Sequence, residues 1–431
     1  MKKRSIQLRH PAASTRIRSG IAFLSVCVLV GLVAFAGAHA QVATPATASP
    51  SPTATPFPPS AAEVSIQGEK FYINGVRTYS GGILDGTLPN SRMVNATFDD
   101  ANPATIENWD YPNGAPYDPN RQTNEFIAAL PSYKAKGLLA VTLNFQGGDP
   151  VHGAINQPWD NTAFNSNGSL KSAYLTRMDG IIRALNAQGM VAILGYFYQG
   201  QDQRLANEAA VIAATGNATA WVLSQGYTNV MIEVSNEADN AGYNYAILKP
   251  PRVVELINQV KTQSINYGRR LYVSTSLNGG HLPSVAIRNA SDFFLLHGDG
   301  QSPSQITAMI NTARAWGFNK PIVFNEDSPS TANFQAATNG HASWGYHDWG
   351  ANNYIDGFQS PPTNWTINTV NKRNFFNLLD SYAHSNNLYG VSFTDANTAR
   401  SSSEGLVSLM AARQFLCSVS VCSAWLPCGA N

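Results

Sequence analysis

The sequence is poor in charge. Only 13% of its 431 residues are Asp, Glu, Lys or Arg, against roughly 25% in an average soluble domain. Six of its 28 basic residues stand in the first 40 positions, which hold no acid, so the remaining chain is mildly acidic. It has no basic run with which to neutralise phosphates, and this argues against a nucleic-acid partner. Cysteine is also scarce. Apart from Cys27, the thiols are Cys417, Cys422 and Cys428, all near the C-terminus. They form no CxxC pair and have no His nearby in sequence, so a metal site is the weaker reading. One disulfide with one thiol left over is expected in an oxidising compartment, with no part in chemistry. No GxGxxG or Walker pattern opens any helix-like stretch, which argues against a nucleotide fold. No cofactor is implied.

What is present begins with a leader. Residues 1–20 are basic, Ile21 to Ala38 is a nearly unbroken apolar run, and Ala38-His39-Ala40 is a small-x-small site. This predicts an export signal cleaved before Gln41, with an uncleaved membrane anchor as the alternative. Residues 43–62 are a Pro/Ala/Ser/Thr tract with nothing to bury, expected to be an extended spacer. The expected organisation is 1–40 signal peptide or anchor, 41–63 spacer, 64–388 the folded body, and 389–431 a C-terminal extension ending in the cysteines. A secreted, periplasmic or cell-surface monomer follows, with a membrane or surface tether through the N-terminus if the leader stays.

The body is 44% hydrophobic over the whole chain and 10% aromatic, enough for a large core. Short β-rich runs alternate with stretches of helical spacing. Strands are expected at Tyr79–Leu84, Leu138–Phe145, Met190–Tyr198, Val230–Val234, Leu271–Ser276, Phe293–His297, Pro321–Asn325 and Ser343–Trp349. Helices are expected at Asn124–Lys136, Leu170–Gln188, Asn207–Ser224, Pro251–Tyr267, Pro283–Arg288, Pro303–Trp316 and Asn371–His384, several of them stopped by glycine. Apolar strands alternating with helices imply a parallel sheet covered on both sides. Eight such units fit an α/β fold of the (β/α)8 TIM-barrel type. Val64–Ile73, turning at Asn74-Gly75, reads as a hairpin ahead of the barrel, and Tyr389–Thr394 as an added strand after it.

Catalytic groups of such a barrel sit at the C-terminal ends of its strands. Two glutamates stand there, each beside an asparagine: Ser235-Asn236-Glu237 after the fourth strand and Asn325-Glu326 after the seventh. A protonated and an ionised carboxyl about 5–5.5 Å apart can break a glycosidic bond with retention. Mutual repulsion is expected to raise one pKa and keep the acid protonated. Glu233 lies deeper in the fourth strand and is expected to support the interior by hydrogen bonding.

This pair resembles glycoside hydrolase clan A, in which the acid/base follows an Asn on strand four and the nucleophile stands on strand seven. The resemblance implies Glu237 as acid/base, Glu326 as nucleophile and Asn236 as the ligand of the sugar 2-hydroxyl. The chain departs from family 5 of that clan. The family's strand-two Arg and strand-three His are replaced by Leu143-Asn144-Phe145-Gln146 and Gly195-Tyr196-Phe197-Tyr198, and its His-x-Tyr on strand six by His297-Gly298-Asp299. Ser91-Arg92-Met93-Val94 and Asp356–Pro362 mark a distinct branch and name no substrate.

Aromatic rings stack on sugar faces, while amides and acids take the hydroxyls. Trp344, which resembles the clan's platform Trp, Trp349 as its alternative, Tyr198 and Asn144 are therefore expected to bind carbohydrate. Trp159, Tyr196 and Tyr346 are weaker candidates. Trp221 and Trp316 lie on helices and are expected in the core. His297 is expected at the mouth, with His281 and His152 as further candidates. No two of these histidines have metal-ligand spacing on a helix, so no metal is expected. The expected function is a secreted retaining glycosidase acting on a poly- or oligosaccharide. A catalytically inactive carbohydrate-binding barrel is the alternative; the presence of both glutamates argues against it, and the missing Arg and strand-three His argue for it.

Overall fold

The computed structural model describes residues 62–151, 157–349 and 354–385. Three short antiparallel strands come first: Val64–Gln67, Lys70–Ile73 and Val76–Arg77. Gly68-Glu69 makes the first turn and the expected Asn74-Gly75 turn makes the second. The folded body starts earlier than expected, because Ala62 is already fully buried.

Eight barrel strands follow. They are β1 (Asn90–Arg92), β2 (Ala140–Asn144), β3 (Val191–Phe197), β4 (Val230–Ser235), β5 (Tyr272–Ser274), β6 (Phe294–His297), β7 (Ile322–Glu326) and β8 (Gly345–Tyr346). Parallel ladders run β8-β1-β2-β3-β4-β5 and β6-β7. Two short joints close the ring. Asp292 N–H donates to Val273 O beside β5 at 2.8 Å, and a parallel bridge pairs Val323 of β7 with Ser343.

The helices are α1 (Pro119–Ala135), α2 (Ser172–Ala187), α3 (Glu208–Ser224), α4 (Val253–Asn266), α5 (Val285–Ala290), α6 (Pro303–Ala315), α7 (Thr331–Asn339) and α8 (Val370–His384). Side chains of Asp118, Asn207, Ser284, Ser302, Ser330 and Thr369 accept from first-turn amides at six of their N-termini. Gly137, at φ 93, ends α1 in the left-handed region that a β-carbon penalises.

One expected strand is wrong. Residues Tyr79–Leu84 are turns, with Tyr79 at φ 46, and the first barrel strand is Asn90–Arg92. The sequence of β1, Asn-Ser-Arg, has no apolar signature because Asn90 and Arg92 both point into the ring rather than towards helices.

The interior is layered. Leu139, Ala140, Val191, Ile193, Met231, Leu295 and Val323 fill the lower barrel, and Val64, Phe71 and Leu88 pack on them from below. Above lie buried polar groups: Arg92, Thr142, Asn144, Glu233, His297 and Asn325. The helices enclose the barrel through a second, larger apolar layer that includes Phe145, Ile232, Phe324 and Leu379. Among the described residues no helix is long and apolar enough to cross a membrane. The leader, the spacer up to residue 61, the expected strand Tyr389–Thr394 and the cysteine tail lie outside the described residues.

Candidate active site

Side chains alternate along a strand, so Val323 and Asn325 face the interior of β7 and Glu326 should face the helices. The ladder between β7 and β6 slips between Phe324 and Glu326. That bulge turns two consecutive residues inward. Asn325 Nδ2 donates to Glu233 Oε2 at 3.0 Å, and Glu326 Oε2 meets Arg92 Nε at 2.9 Å. Glu237 is placed by a different device. It takes φ 47, a left-handed conformation rare for a residue with a side chain. Its N–H donates to Ser276 Oγ at 2.8 Å, and the Ser276 hydroxyl donates in turn to Glu233. Glu233 therefore buttresses both glutamate-bearing strands, as expected of a deeper residue.

The two mouth carboxylates are close and recessed. One oxygen each of Glu237 and Glu326 lies within 4.8 Å of the other, with His297 and Asp299 in the same group. His297 Nδ1 stands 3.4 Å from Glu237 Oε1 and 3.5 Å from Glu326 Oε2. His347, just past β8, places Nδ1 3.3 Å from Glu326 Oε1 and 3.5 Å from Asp299 Oδ1. Gln199 Nε2 and Asn240 Nδ2 each donate to Glu237 Oε2 at 3.0 Å. This acid/His set stands close enough together to surround a cation, and Arg92 supplies positive charge at Glu326.

Electrostatics correct one expectation. Burial pushes the Glu237 carboxyl up, but the His297 hydrogen bond, the charges of His297 and Arg92, and Asn240 outweigh it, and the net direction is down. For Glu326 burial dominates over Arg92 and His297, and the net direction is up. Repulsion between the pair therefore does not hold Glu237 protonated in the free protein. The proton sits on His297 instead: burial opposes it, but Glu326, Glu237 and Glu233 raise the imidazole to about 9. His347 is driven the other way, to about 4, chiefly by burial.

The expected sugar ligands divide. Tyr198 is buried beside Arg92, whose guanidinium lies 5.9 Å from the ring centroid. Trp349 is half-buried and packs edge-on against His347 at 4.7 Å. Trp344 does not reach the mouth. It is 1% exposed, packs on Phe334 and Phe375, and donates its indole N–H to Asp327 Oδ2 at 2.6 Å. The short β8 turns residue 344 towards the helices. Asn236 is fully buried, and its Nδ2 donates to Gln199 Oε1 at 3.1 Å, so it orients the amide that holds Glu237. Asn144 lies within the barrel wall beside Gly195, where an added β-carbon would fall 2.1 Å from its Oδ1.

The weaker candidates lie elsewhere. His281 is exposed and paired with Asp239 at the rim, and His152 lies outside the described residues. Trp159 packs edge-on against Trp109 in a satellite cluster, while Tyr196 and Tyr346 belong to the layer under the helices. Trp221 and Trp316 pack against the core as expected.

Arg92 and His347 were missed by sequence reasoning. The arginine that strand two lacks comes from β1, inside the Ser91-Arg92-Met93-Val94 segment. Asn95, three residues on, donates to Gln359 O at 2.7 Å.

No family model and no curated protein matches this sequence. Solved structures do. A Bacteroides vulgatus protein described as a candidate glycoside hydrolase is 14% identical at a TM-score of 0.47, over 74% of this chain and 60% of its own length. This chain thus spans three fifths of that protein. A β-1,4-D-mannanase from Cryptopygus antarcticus is 13% identical at 0.44, over 66% of this chain and 88% of that one. A broad specificity endoglucanase from Bacteroides salanitronis is 12% identical at 0.44, over 69% and 93%.

Proposed function

We propose that this chain is a secreted retaining glycoside hydrolase acting on a poly- or oligosaccharide, with Glu326 as nucleophile and Glu237 as acid/base. The observation that carries the reading is the spacing of the pair: carboxylate oxygens within 4.8 Å at one barrel mouth. Retaining enzymes keep their carboxyls about 5–5.5 Å apart, whereas inverting enzymes leave about 6.5–9.5 Å for a water. The basic, apolar leader supports export.

The contacts suit the chemistry. Glu326 must be ionised to attack the anomeric carbon. Protonating it would leave the Arg92 guanidinium, itself fully buried, without its counter-charge. Glu237 must deliver a proton to the leaving oxygen. In the free protein its contacts are all donors, and the proton waits on His297, 3.4 Å from Oε1. A sugar entering the mouth displaces water, and the proton passes from His297 through Glu237 to the departing oxygen as Glu326 bonds to the ring carbon. Water then attacks the glycosyl ester, Glu326 leaves as carboxylate, and the one proton that the water gives up passes through Glu237 back to His297.

A second reading exchanges the two roles, and the opposite pKa directions of the glutamates favour it. The ion pair with Arg92 weighs more, because it binds one carboxylate directly. The inactive carbohydrate-binding alternative loses one of its two supports, since an Arg does stand on Glu326, and keeps the other, the strand-three His that is absent. The test is release of chromophore from aryl glycosides, with proton NMR of the first-formed anomer. Retained configuration is expected. Inverted product contradicts the mechanism, and no turnover of any glycoside or polysaccharide contradicts the enzyme.

A further inference from the structure

Asp299 is the residue that stands where the resembled family has the Tyr of His-x-Tyr, and it is out of balance with its surroundings. Both of its carboxylate oxygens are buried, and neither accepts a hydrogen bond. Nε2 of His347, which is 1% exposed, and the two terminal nitrogens of Arg92 likewise have no hydrogen-bond partner among the described residues, while His347 Nδ1 stands between Glu326 and Asp299. The three residues all stand beside Glu326. A buried polar atom without a partner costs free energy that a folded protein avoids. Five such atoms, on three residues beside the proposed nucleophile, suit a ligand rich in groups that both donate and accept. A hydroxyl does both.

The charges narrow the ligand further. Glu237, Asp299 and Glu326 crowd the mouth with Glu233 beneath them, and Arg92 and His297 are the cations set against them; burial pushes the Asp299 carboxyl up, to about 6, which leaves it mostly ionised at neutral pH. His347, driven to about 4 mainly by burial, is neutral and adds nothing to the positive side. A sugar carrying its own carboxylate would meet an excess of negative charge in a site closed to screening.

We propose that Asp299 accepts a hydrogen bond from one hydroxyl of the reacting sugar ring, that His347, wedged between Asp299 and Glu326, fixes the direction of that carboxylate, and that the substrate is a neutral glycoside rather than a uronide. This rests on the glycosidase reading. Asp299 is a substrate-binding residue and His347 a positioning residue.

The experiment uses the full chain and its Asp299→Ala, Asp299→Asn and His347→Gln variants. Dinitrophenol release is followed from 2,4-dinitrophenyl glycosides of glucose, mannose, galactose, xylose and glucuronic acid. The preferred neutral sugar is then replaced by analogues lacking one hydroxyl at a time. Wild type is expected to turn over a neutral glycoside and not the uronide. Asp299→Ala should lose about 10- to 100-fold in kcat/KM on the parent sugar, the worth of one charged hydrogen bond, and under about 3-fold on one particular deoxy analogue. Asp299→Asn should fall between. His347→Gln should raise KM on the same sugar and lose that penalty on the same analogue. An Asp299→Ala loss that is equal on every analogue, or absent on the parent, overturns the proposal, as does preference for the uronide. If wild type is active while these patterns fail, this proposal alone falls. If wild type releases dinitrophenol from none of the glycosides, the glycosidase reading falls and takes this one with it.

Discussion

Arg92, at the end of the first barrel strand, holds Glu326, at the end of the seventh, through a 2.9 Å ion pair almost closed to solvent on both sides. Breaking such a pair from one side strands the other charge in low dielectric, which costs about 3–5 kcal/mol. Arg92→Gln should therefore lower unfolding stability by about that much and cut kcat/KM by about 100-fold or more. The Arg92→Gln/Glu326→Gln double variant should be more stable than the sum of the single losses predicts, since no lone charge remains. Urea unfolding of the four proteins checks this. Additive losses would mean that the two side chains do not act as a pair.

His297 gives a pH signature. Its folded pKa of about 9 lies above the ordinary histidine value. Charging it favours the fold, so its contribution is complete below about pH 6.5 and is lost as pH rises through the folded value. The size is about 3 kcal/mol by linkage. Lys372 runs the opposite way: burial lowers it to about 7, so stability recovers above that pH. The clean readout is therefore a difference, in which Lys372 cancels. The stability gap between wild type and His297→Gln should shrink from pH 6 to pH 10. A constant gap would show that His297 does not hold the proton.

How far the sequence could be read follows from where each signal lives. Ser235-Asn236-Glu237 and Asn325-Glu326 were legible because each follows an apolar strand whose inward residues are regular. Arg92 was not, because a three-residue strand with polar inward residues looks like a loop. His347 was hidden by the short β8, whose end cannot be placed from pattern alone. The low Glu237 pKa depends on His297, Arg92 and Asn240, which three separate loop or strand ends bring near one carboxyl. The bulge that turns Asn325 and Glu326 inward leaves no trace in the pattern either.

The exchange of tryptophans can be tested directly. Trp344 is packed between Phe334 and Phe375 and satisfies Asp327. Its replacement by Ala should cost about 3–5 kcal/mol of stability, the usual cost of emptying a large core site. Trp349 is half-buried beside His347. Trp349→Ala should leave stability within about 1 kcal/mol and raise KM for an oligosaccharide. Denaturation curves and steady-state kinetics on both variants separate the two. A raised KM confined to Trp344→Ala would restore the tryptophan first expected at the sugar.

The division of labour between the glutamates has the sharpest test. Removing a nucleophile leaves a cavity on the face opposite the leaving group. Azide entering there attacks the substrate directly and gives the inverted glycosyl azide. Removing the acid/base leaves the nucleophile able to form its ester, provided the leaving group needs no proton, as with dinitrophenol. Azide then attacks that ester from the other face, and two inversions give net retention. Glu326→Ala should lose turnover by several orders of magnitude and, with azide, yield inverted product. Glu237→Ala should retain the first step on dinitrophenyl glycosides, accumulate ester, and yield retained product with azide. Proton NMR of the azide products decides. The Arg92 contact predicts this assignment, and the low pKa of Glu237 in the free protein predicts its reverse. Swapped products would therefore show that burial of Glu326 outweighs its ion pair, and that the proton on His297 is not destined for Glu237.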